Sequence, residues 1–96
     1  MSATLFCTGL TGFVAKEVVR RRLEREPALS VIGLIRAVDE EHLTRRRERI
    51  LSDMFGDRAA EFADRVTVVK GDLTADRMKL SDEAEGLILE RATEFL

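Results

Sequence analysis

The stretch ATLFCTGLTGFVAKEVV, residues 3–19, joins a short apolar run to a helical pattern through a pair of glycines. The run Ala3–Cys7 predicts a buried β-strand, and residues Phe13–Glu26 predict a helix. A strand that turns directly into a helix leaves backbone N–H groups unpaired at the positive end of the helix dipole, where an anion binds well. The junction therefore predicts a phosphate-binding turn.

The glycines of this turn, Gly9 and Gly12, favour a dinucleotide as the ligand. A Cβ at either position is expected to block the turn or to hold a diphosphate away from the backbone. The simpler alternative, a glycine loop without a ligand, stays open, because such turns are common. The strand–turn–helix setting favours phosphate binding.

Two further apolar runs, Ser30–Ile35 and Val66–Val69, predict buried strands. Helical patterns separate the three strands, and a further helix is predicted to begin after Ser81, its N-cap. The order βαβαβα predicts an α/β fold with a Rossmann-like, doubly wound parallel sheet in the order 3-2-1. The tail Ala92–Leu96 predicts the start of a fourth strand.

The composition limits the classes of protein that the chain can represent. With 96 residues it predicts one domain, residues 1–96, which corresponds to the first half of a doubly wound fold and hence to part of a larger fold. A net charge of −2 argues against a general nucleic-acid binder. The sequence predicts neither a membrane span nor a secretory signal. We therefore expect a cytoplasmic protein.

The single cysteine and the single histidine predict structural rather than chemical roles. Cys7 has no partner for an internal disulfide and is expected to be a buried core thiol in a reducing compartment. His42 is expected at the surface, since a metal site needs several ligands. The arginines at 45–47 are expected to form a mostly solvated helix face, and Asp39 and Glu40 to start that helix. No metal site is predicted.

Five motifs in order give the chain a specific resemblance. Thr8–Ala15 resembles the TGxxGxxG signature of extended short-chain dehydrogenases/reductases. The segments Gly33–Arg36, Arg49–Leu51, Val68–Leu73 and Met78–Glu83 are similar to motifs of one branch, the fatty acyl-CoA reductase and thioester reductase (male-sterility-type NAD(P)-binding) family. That family includes the terminal reductase domains of carboxylic acid reductases and nonribosomal peptide synthetases. The resemblance covers essentially the whole chain.

The resemblance and the general dinucleotide fold together imply a cofactor site. An arginine after the second strand, Arg36, is placed to pair with the 2′-phosphate of NADP(H), so NADP(H) is expected over NAD(H). Family resemblance adds Arg49 as a second phosphate contact, Asp72 as an acceptor for the adenine amino group and Leu73 as packing for its ring. A solvated Arg36 and a helix-capping Asp72 are the alternatives. The cofactor-binding residues predicted in this way are Thr8, Gly9, Thr11, Gly12, Phe13, Val14, Arg36, Arg49, Asp72 and Leu73.

Two departures from the family pattern affect the expected activity. Ala15 stands at the third glycine of the signature, which is the mildest replacement. The family's catalytic Ser/Thr and Tyr-x-x-x-Lys would lie downstream of Leu96, and the sequence contains no tyrosine. No catalytic residue is therefore predicted within the chain, which is expected to be a truncated part of a larger protein. The complete protein would be an NADPH-dependent reductase of acyl thioesters.

Other functions remain compatible with the sequence. A sugar-nucleotide epimerase or dehydratase of the same extended family would share the glycine turn. A nucleotide-binding or interaction module without catalysis, or a structural fragment, would also fit these residues. Acyl thioester is expected as a substrate only for the complete protein. Oligomers are expected to be possible, because a half-sheet with an exposed edge strand favours association.

Overall fold

A computed structural model describes residues 3–72 and 80–96. Strands and helices alternate along the chain. Their bounds are β1 (Ala3–Cys7), α1 (Phe13–Arg25), β2 (Leu29–Ile35), α2 (Glu40–Phe55), α3 (Ala59–Phe62), β3 (Val66–Lys70), α4 (Asp82–Arg91) and β4 (Glu94–Phe95). Single 3₁₀ turns flank α3 on either side. The elements predicted from the sequence are all present.

The four strands form one parallel sheet in the order β3-β2-β1-β4. This order confirms the predicted Rossmann-like arrangement, including the fourth strand beside β1. The register pairs Cys7 with Gly33 and Ile35 with Lys70, so β1, β2 and β3 end at the same edge of the sheet. In open α/β sheets this carboxyl edge is where ligands bind.

The helices cover the two faces of the sheet unequally. The larger apolar cluster joins α1, α2 and α3 to one face, with Leu23, Ile50 and Phe62 among its members. The smaller cluster joins α4, through Ile88, to the opposite face. Strands that are covered on both sides need apolar residues at nearly every position, which explains the uninterrupted apolar run of β2.

The C-terminal end of α1 is fixed by a side chain from a distant part of the chain. Glu26, the C-cap, has an extended backbone (φ −117°, ψ 91°), as expected for a residue before proline. The guanidinium of Arg65 donates to the carbonyl oxygens of Leu23, Glu26 and Leu29. The bonds to Leu23 and Glu26 lie at the end of α1, where carbonyl groups lack an intrahelical partner, and the bond to Leu29 ties that end to the first residue of β2.

The short strand β4 is held to β1 and to α1. Backbone N–H groups of Thr93 and Leu96 donate to β1 carbonyls at 2.8 Å. On the α1 side, the guanidinium of Arg22 binds both carboxylate oxygens of Glu94, at 2.8 and 3.1 Å, and also binds Glu26. Hydrogen bonding to Arg22 lowers the pKa of the Glu94 carboxyl. The ion pair therefore connects β4 to the helix above β1.

Replacing Glu94 with glutamine is expected to lower thermal stability at neutral pH by a few degrees at most, since the pair is solvent-accessible. Because the folded-state pKa of Glu94 lies below its ordinary value, this stabilisation is present above the ordinary carboxyl pKa. It is lost as the pH falls through the lowered value. Melting curves of Glu94→Gln and the unmodified protein should therefore converge in acid. Glu90→Gln, at an exposed position of α4, is the control and should show no such pH-dependent difference.

Within residues 3–72 and 80–96, none of the helices has the length and hydropathy needed to cross a membrane.

Candidate functional site

The N-terminus of α1 is open to a ligand. Gly12 is its N-cap and has no side chain to cap the first turn, and no acidic residue lies in that turn. The other long helices differ: Asp39 caps α2, Ser81 caps α4, and both first turns carry acidic residues. The first N–H groups of α1 have no intrahelical partner, so they can donate to an anion.

Space, rather than backbone conformation, explains one glycine of this turn, Gly12. The N–H of Gly12 donates to the carbonyl of Gly9 at 2.8 Å, which closes the turn. Gly12 has φ −84° and ψ 153°, a conformation that any residue adopts, but a Cβ there would lie 3.2 Å from the Gly9 oxygen. A Cβ on Gly9 would meet only the Cβ of Ala15, at 3.7 Å, which is an ordinary contact. The expectation that a Cβ would block the turn is therefore not met at Gly9.

A cavity of about 880 Å³ opens at the carboxyl edge of the sheet, beside this turn. Its volume falls in the usual range for small-molecule sites, about 300–1,000 Å³. The lining comes from the ends of β1, β2 and β3, the loops that follow them, and α2. These residues are Thr8, Thr11, Leu34, Ile35, Arg36, Ala37, Val38, His42, Arg46, Lys70, Gly71 and Asp72.

Arg36 and Asp72 face each other across the mouth of the cavity. The nearest guanidinium nitrogen and carboxylate oxygen are 3.9 Å apart, and the Arg36 side chain is 74% exposed. At that distance the pair attracts without forming a good hydrogen bond. Gly71 donates its N–H to the Ile35 carbonyl at 3.0 Å, which continues the hydrogen bonding between β2 and β3 up to the residue before Asp72. The structure brings these two predicted residues together.

Two residues of α2, His42 and Arg46, line the cavity, although the sequence predicted neither as part of a site. Arg46 donates to the carbonyl of Arg36 at 2.6 Å, and the Nδ1 of His42 accepts the Val38 N–H at 3.0 Å. The neutral His42 ring then carries its hydrogen on Nε2. His42 is partly buried, makes its hydrogen bond to Val38 at the protein surface, and lines the cavity.

The arginine run on α2 is less solvated than the sequence predicts. Arg47 is half-buried and donates to the carbonyls of Ala63 and Val66, at 2.6 and 3.1 Å. Arg46 is held at the cavity, and only Arg45 of the three is exposed. A common spacing of four residues places His42 and Arg46 on one side of α2, which was the available sequence signal. Asp39 caps α2 and Glu40 begins it, as predicted.

Among the other predicted site residues, those that the structure describes do not line the cavity. Arg49 donates to Asp53 at 3.1 Å, and Asp53 also pairs with Lys16 of α1 at 3.1 Å. Phe13 and Val14, at the start of α1, are exposed to 82% and 73%. Leu73 lies outside the described residues. Arg49, to which the resemblance assigns a phosphate contact, is therefore not among the residues that line the cavity.

The described residues at this edge include a buried thiol and several charged side chains. Cys7, the last residue of β1, is fully buried, and this burial raises its pKa, as expected for a core thiol. In the part of the chain that the structure describes, no cluster of three metal-ligating side chains occurs. Among the described residues, the charged side chains that line the cavity are Arg36, Arg46, Lys70 and Asp72, three cations and one anion.

Comparison of the sequence with known proteins gives consistent matches. The NAD-binding family described as male sterility protein matches residues 7–93. Nonribosomal peptide synthetase asaC of Aspergillus flavus is 37% identical over 78 residues, which cover 81% of this chain and 8% of that protein. L-2-aminoadipate reductase of Saccharomyces cerevisiae is 34% identical over 82 residues, which cover 82% of this chain and 6% of that protein.

Solved structures share the fold. The reductase domain of a nonribosomal peptide synthetase from Mycobacterium tuberculosis has a TM-score of 0.80 and 26% identity over 99% of this chain and 23% of its own. The terminal R domain of the myxalamid biosynthetic pathway has a TM-score of 0.73 at 22% identity, which supports the fold alone. The chain thus spans a small fraction of the curated proteins and 23% of the solved domains that it matches.

Proposed function

The chain belongs to the male sterility protein family of NAD-binding domains, and from that premise we propose that it is the NADP(H)-binding part of a reductase. The observation that carries the proposal is the N-terminus of α1, which has no side-chain cap and no acidic residue in its first turn. It lies beside a cavity lined by three cationic side chains. A dinucleotide has a diphosphate and, in NADP(H), a further phosphate on the 2′-oxygen of the adenosine ribose. The two features of the site match these two groups.

The diphosphate of the cofactor is assigned to the turn before α1. Gly9 and Gly12 leave its space clear of side chains, and the first N–H groups of α1, at Phe13 and Val14, donate to its oxygens. The hydroxyl of Thr11 adds a donor at the same place, and Thr8, whose hydroxyl donates to the Leu96 carbonyl at 3.4 Å, lines the adjoining cavity. The exposure of Phe13 and Val14 is consistent with a ligand approaching their backbone.

The adenosine half is assigned to the cavity at the carboxyl edge of β2 and β3. The Asp72 carboxylate accepts from the adenine amino group, and the exposed side chain of Val38 packs against the ring. The packing role proposed for Leu73 falls outside the described residues. The residues present therefore fit an adenine nucleotide at this edge.

A preference for NADP(H) follows from the charges near the ribose. Arg36 extends from the end of β2, where dinucleotide folds read the ribose 2′ position, and an acidic residue there would favour NAD(H). Arg46 is fixed beside it through the Arg36 carbonyl, and Lys70 ends the neighbouring strand. Two guanidinium groups suit a phosphate because each offers a planar pair of donors. We assign the second phosphate contact to Arg46 rather than Arg49, since Arg49 pairs with Asp53.

For the whole protein, the proposed activity is reduction of an acyl thioester to an aldehyde or alcohol. The bound cofactor supplies the hydride, and the residues described above bind and orient its adenosine and diphosphate parts. The relatives named above are a peptide synthetase and an aminoadipate reductase, which favours a thioester reductase over a sugar-nucleotide epimerase.

Calorimetric titration of the protein with NADPH and with NADH tests the proposal. NADPH is expected to bind at least about tenfold more tightly, because one charge-assisted hydrogen bond to the 2′-phosphate contributes about 1.5–3 kcal/mol. The preference should weaken as salt is added. Equal affinities would remove the 2′-phosphate assignment, and no binding of either cofactor would overturn the proposed function.

A further inference from the structure

The diphosphate turn contains one residue that faces away from the ligand side. Leu10 lies between Gly9 and Thr11, both exposed, but its own side chain is 0% exposed and belongs to the larger core cluster. Residues in such short connections are usually at the surface. Through its buried side chain, Leu10 therefore anchors the turn to the core beneath it.

The space that receives Leu10 exists because β2 has a glycine at its centre. A Cβ on Gly33 would lie 2.6 Å from the Cδ2 of Leu10, far inside any normal contact, and 3.6 Å from its Cβ. Glycine in the interior of a strand weakens the strand and marks a close approach by another group. Here the approaching group is Leu10, which occupies the volume of the missing side chain.

We propose that Gly33 and Leu10 act together as positioning residues that set the height of the diphosphate turn above the sheet, and thereby the affinity for the dinucleotide. Leu10 is fully enclosed, so a methyl group at position 33 cannot be accommodated by turning the Leu10 side chain into solvent. Because the core leaves the Leu10 side chain no open space, we expect the strain to shift the turn that carries it. The Gly9 carbonyl and the Gly12 N–H are hydrogen-bonded at 2.8 Å, so displacement of Leu10 also moves the donors at the start of α1.

The inference rests on the proposed function, and it differs from a simple packing role. Packing alone would make substitutions lower the stability of the fold while folded molecules kept their affinity. A positioning role predicts that the dissociation constant of the folded protein changes. It also predicts that the two residues compensate, because truncating Leu10 removes the Cδ2 and leaves only the ordinary 3.6 Å contact with its Cβ.

The test is calorimetric titration of NADPH into Gly33→Ala, Leu10→Ala and the double variant, with melting curves recorded in parallel. Gly33→Ala is expected to bind at least about tenfold more weakly than the unmodified protein, because the added methyl group overpacks the site below the turn. The double variant should bind more tightly than Gly33→Ala alone. Gly86→Ala is the matched control: a Cβ there meets nothing within 4 Å, so its affinity should not change.

Each outcome bears on the inference. Unchanged affinity in folded Gly33→Ala, or a double variant no better than Gly33→Ala, overturns the positioning role while leaving the proposed function intact. Failure of the unmodified protein to bind overturns both. If Gly33→Ala does not fold, Leu10→Ala is compared with the double variant, and equal affinities support the inference. A further tenfold loss in the double variant would then contradict it.

Discussion

Gly12→Val is expected to abolish dinucleotide binding, with a loss of at least about 100-fold in affinity. A Cβ added at Gly12 would lie 3.2 Å from the Gly9 oxygen, and the valine methyls would project into the space assigned to the diphosphate. The fold should survive, because Gly12 is exposed and its backbone, at φ −84° and ψ 153°, suits a β-branched residue. Titration of NADPH, with circular dichroism to confirm folding, measures the effect.

The control for this variant is Gly86→Val, which adds the same side chain at an exposed glycine of α4 with open space around it. It is expected to bind as the unmodified protein does, apart from a small loss of helix stability. If folded Gly12→Val binds NADPH with unchanged affinity, the diphosphate does not lie at this turn. The assignment of the whole dinucleotide would then have to be abandoned.

The second large effect is expected for the variant Arg36→Ala/Arg46→Ala. Removing both guanidinium groups should lower NADPH affinity by about 100-fold and change NADH affinity much less, because only NADPH carries the 2′-phosphate. Each single variant should lose part of the preference. The two effects are not expected to be additive, since both guanidinium groups are assigned to the same phosphate.

Two neighbouring arginines of α2 separate this effect from a general loss of positive charge. Arg45→Ala removes an exposed cation that does not line the cavity, and only a small change in NADPH affinity is expected. Arg49→Ala tests the residue that family resemblance favours. A larger loss of NADPH preference in Arg49→Ala than in Arg46→Ala would contradict our assignment and restore the one made from the sequence.

The fold was largely predictable because each strand carries its own local signal. The β2 run and the β3 run are apolar and rich in β-branched residues, and the glycine turn separates β1 from α1 without ambiguity. The boundaries agree to within one or two residues: β2 begins at Leu29 rather than Ser30, and β3 ends at Lys70 rather than Val69. The short β4 was also predictable, since its position follows from the order of the preceding elements.

The cavity lining was harder to predict, because it depends on how α2 is rotated about its own axis. That rotation is set by packing of Leu43, Ile50 and Met54 against the sheet, which brings His42 and Arg46 to the cavity. The sequence offers several arginines on this helix and gives no means of ranking them without the packing. The fit of Leu10 over Gly33 depends on contacts between separate elements and could not be inferred from either segment alone.

The most direct test of the central claim is heteronuclear NMR of the protein during titration with NADP⁺, because it reports on each backbone N–H separately. The largest shifts are predicted for the amides of the turn and first residues of α1, Gly9–Val14, and for Arg36 and Gly71 at the cavity. Amides near Glu90 on α4 should be unaffected. Shifts confined to other surfaces, or no shifts at saturating NADP⁺, would contradict the claim that this edge of the sheet binds a dinucleotide.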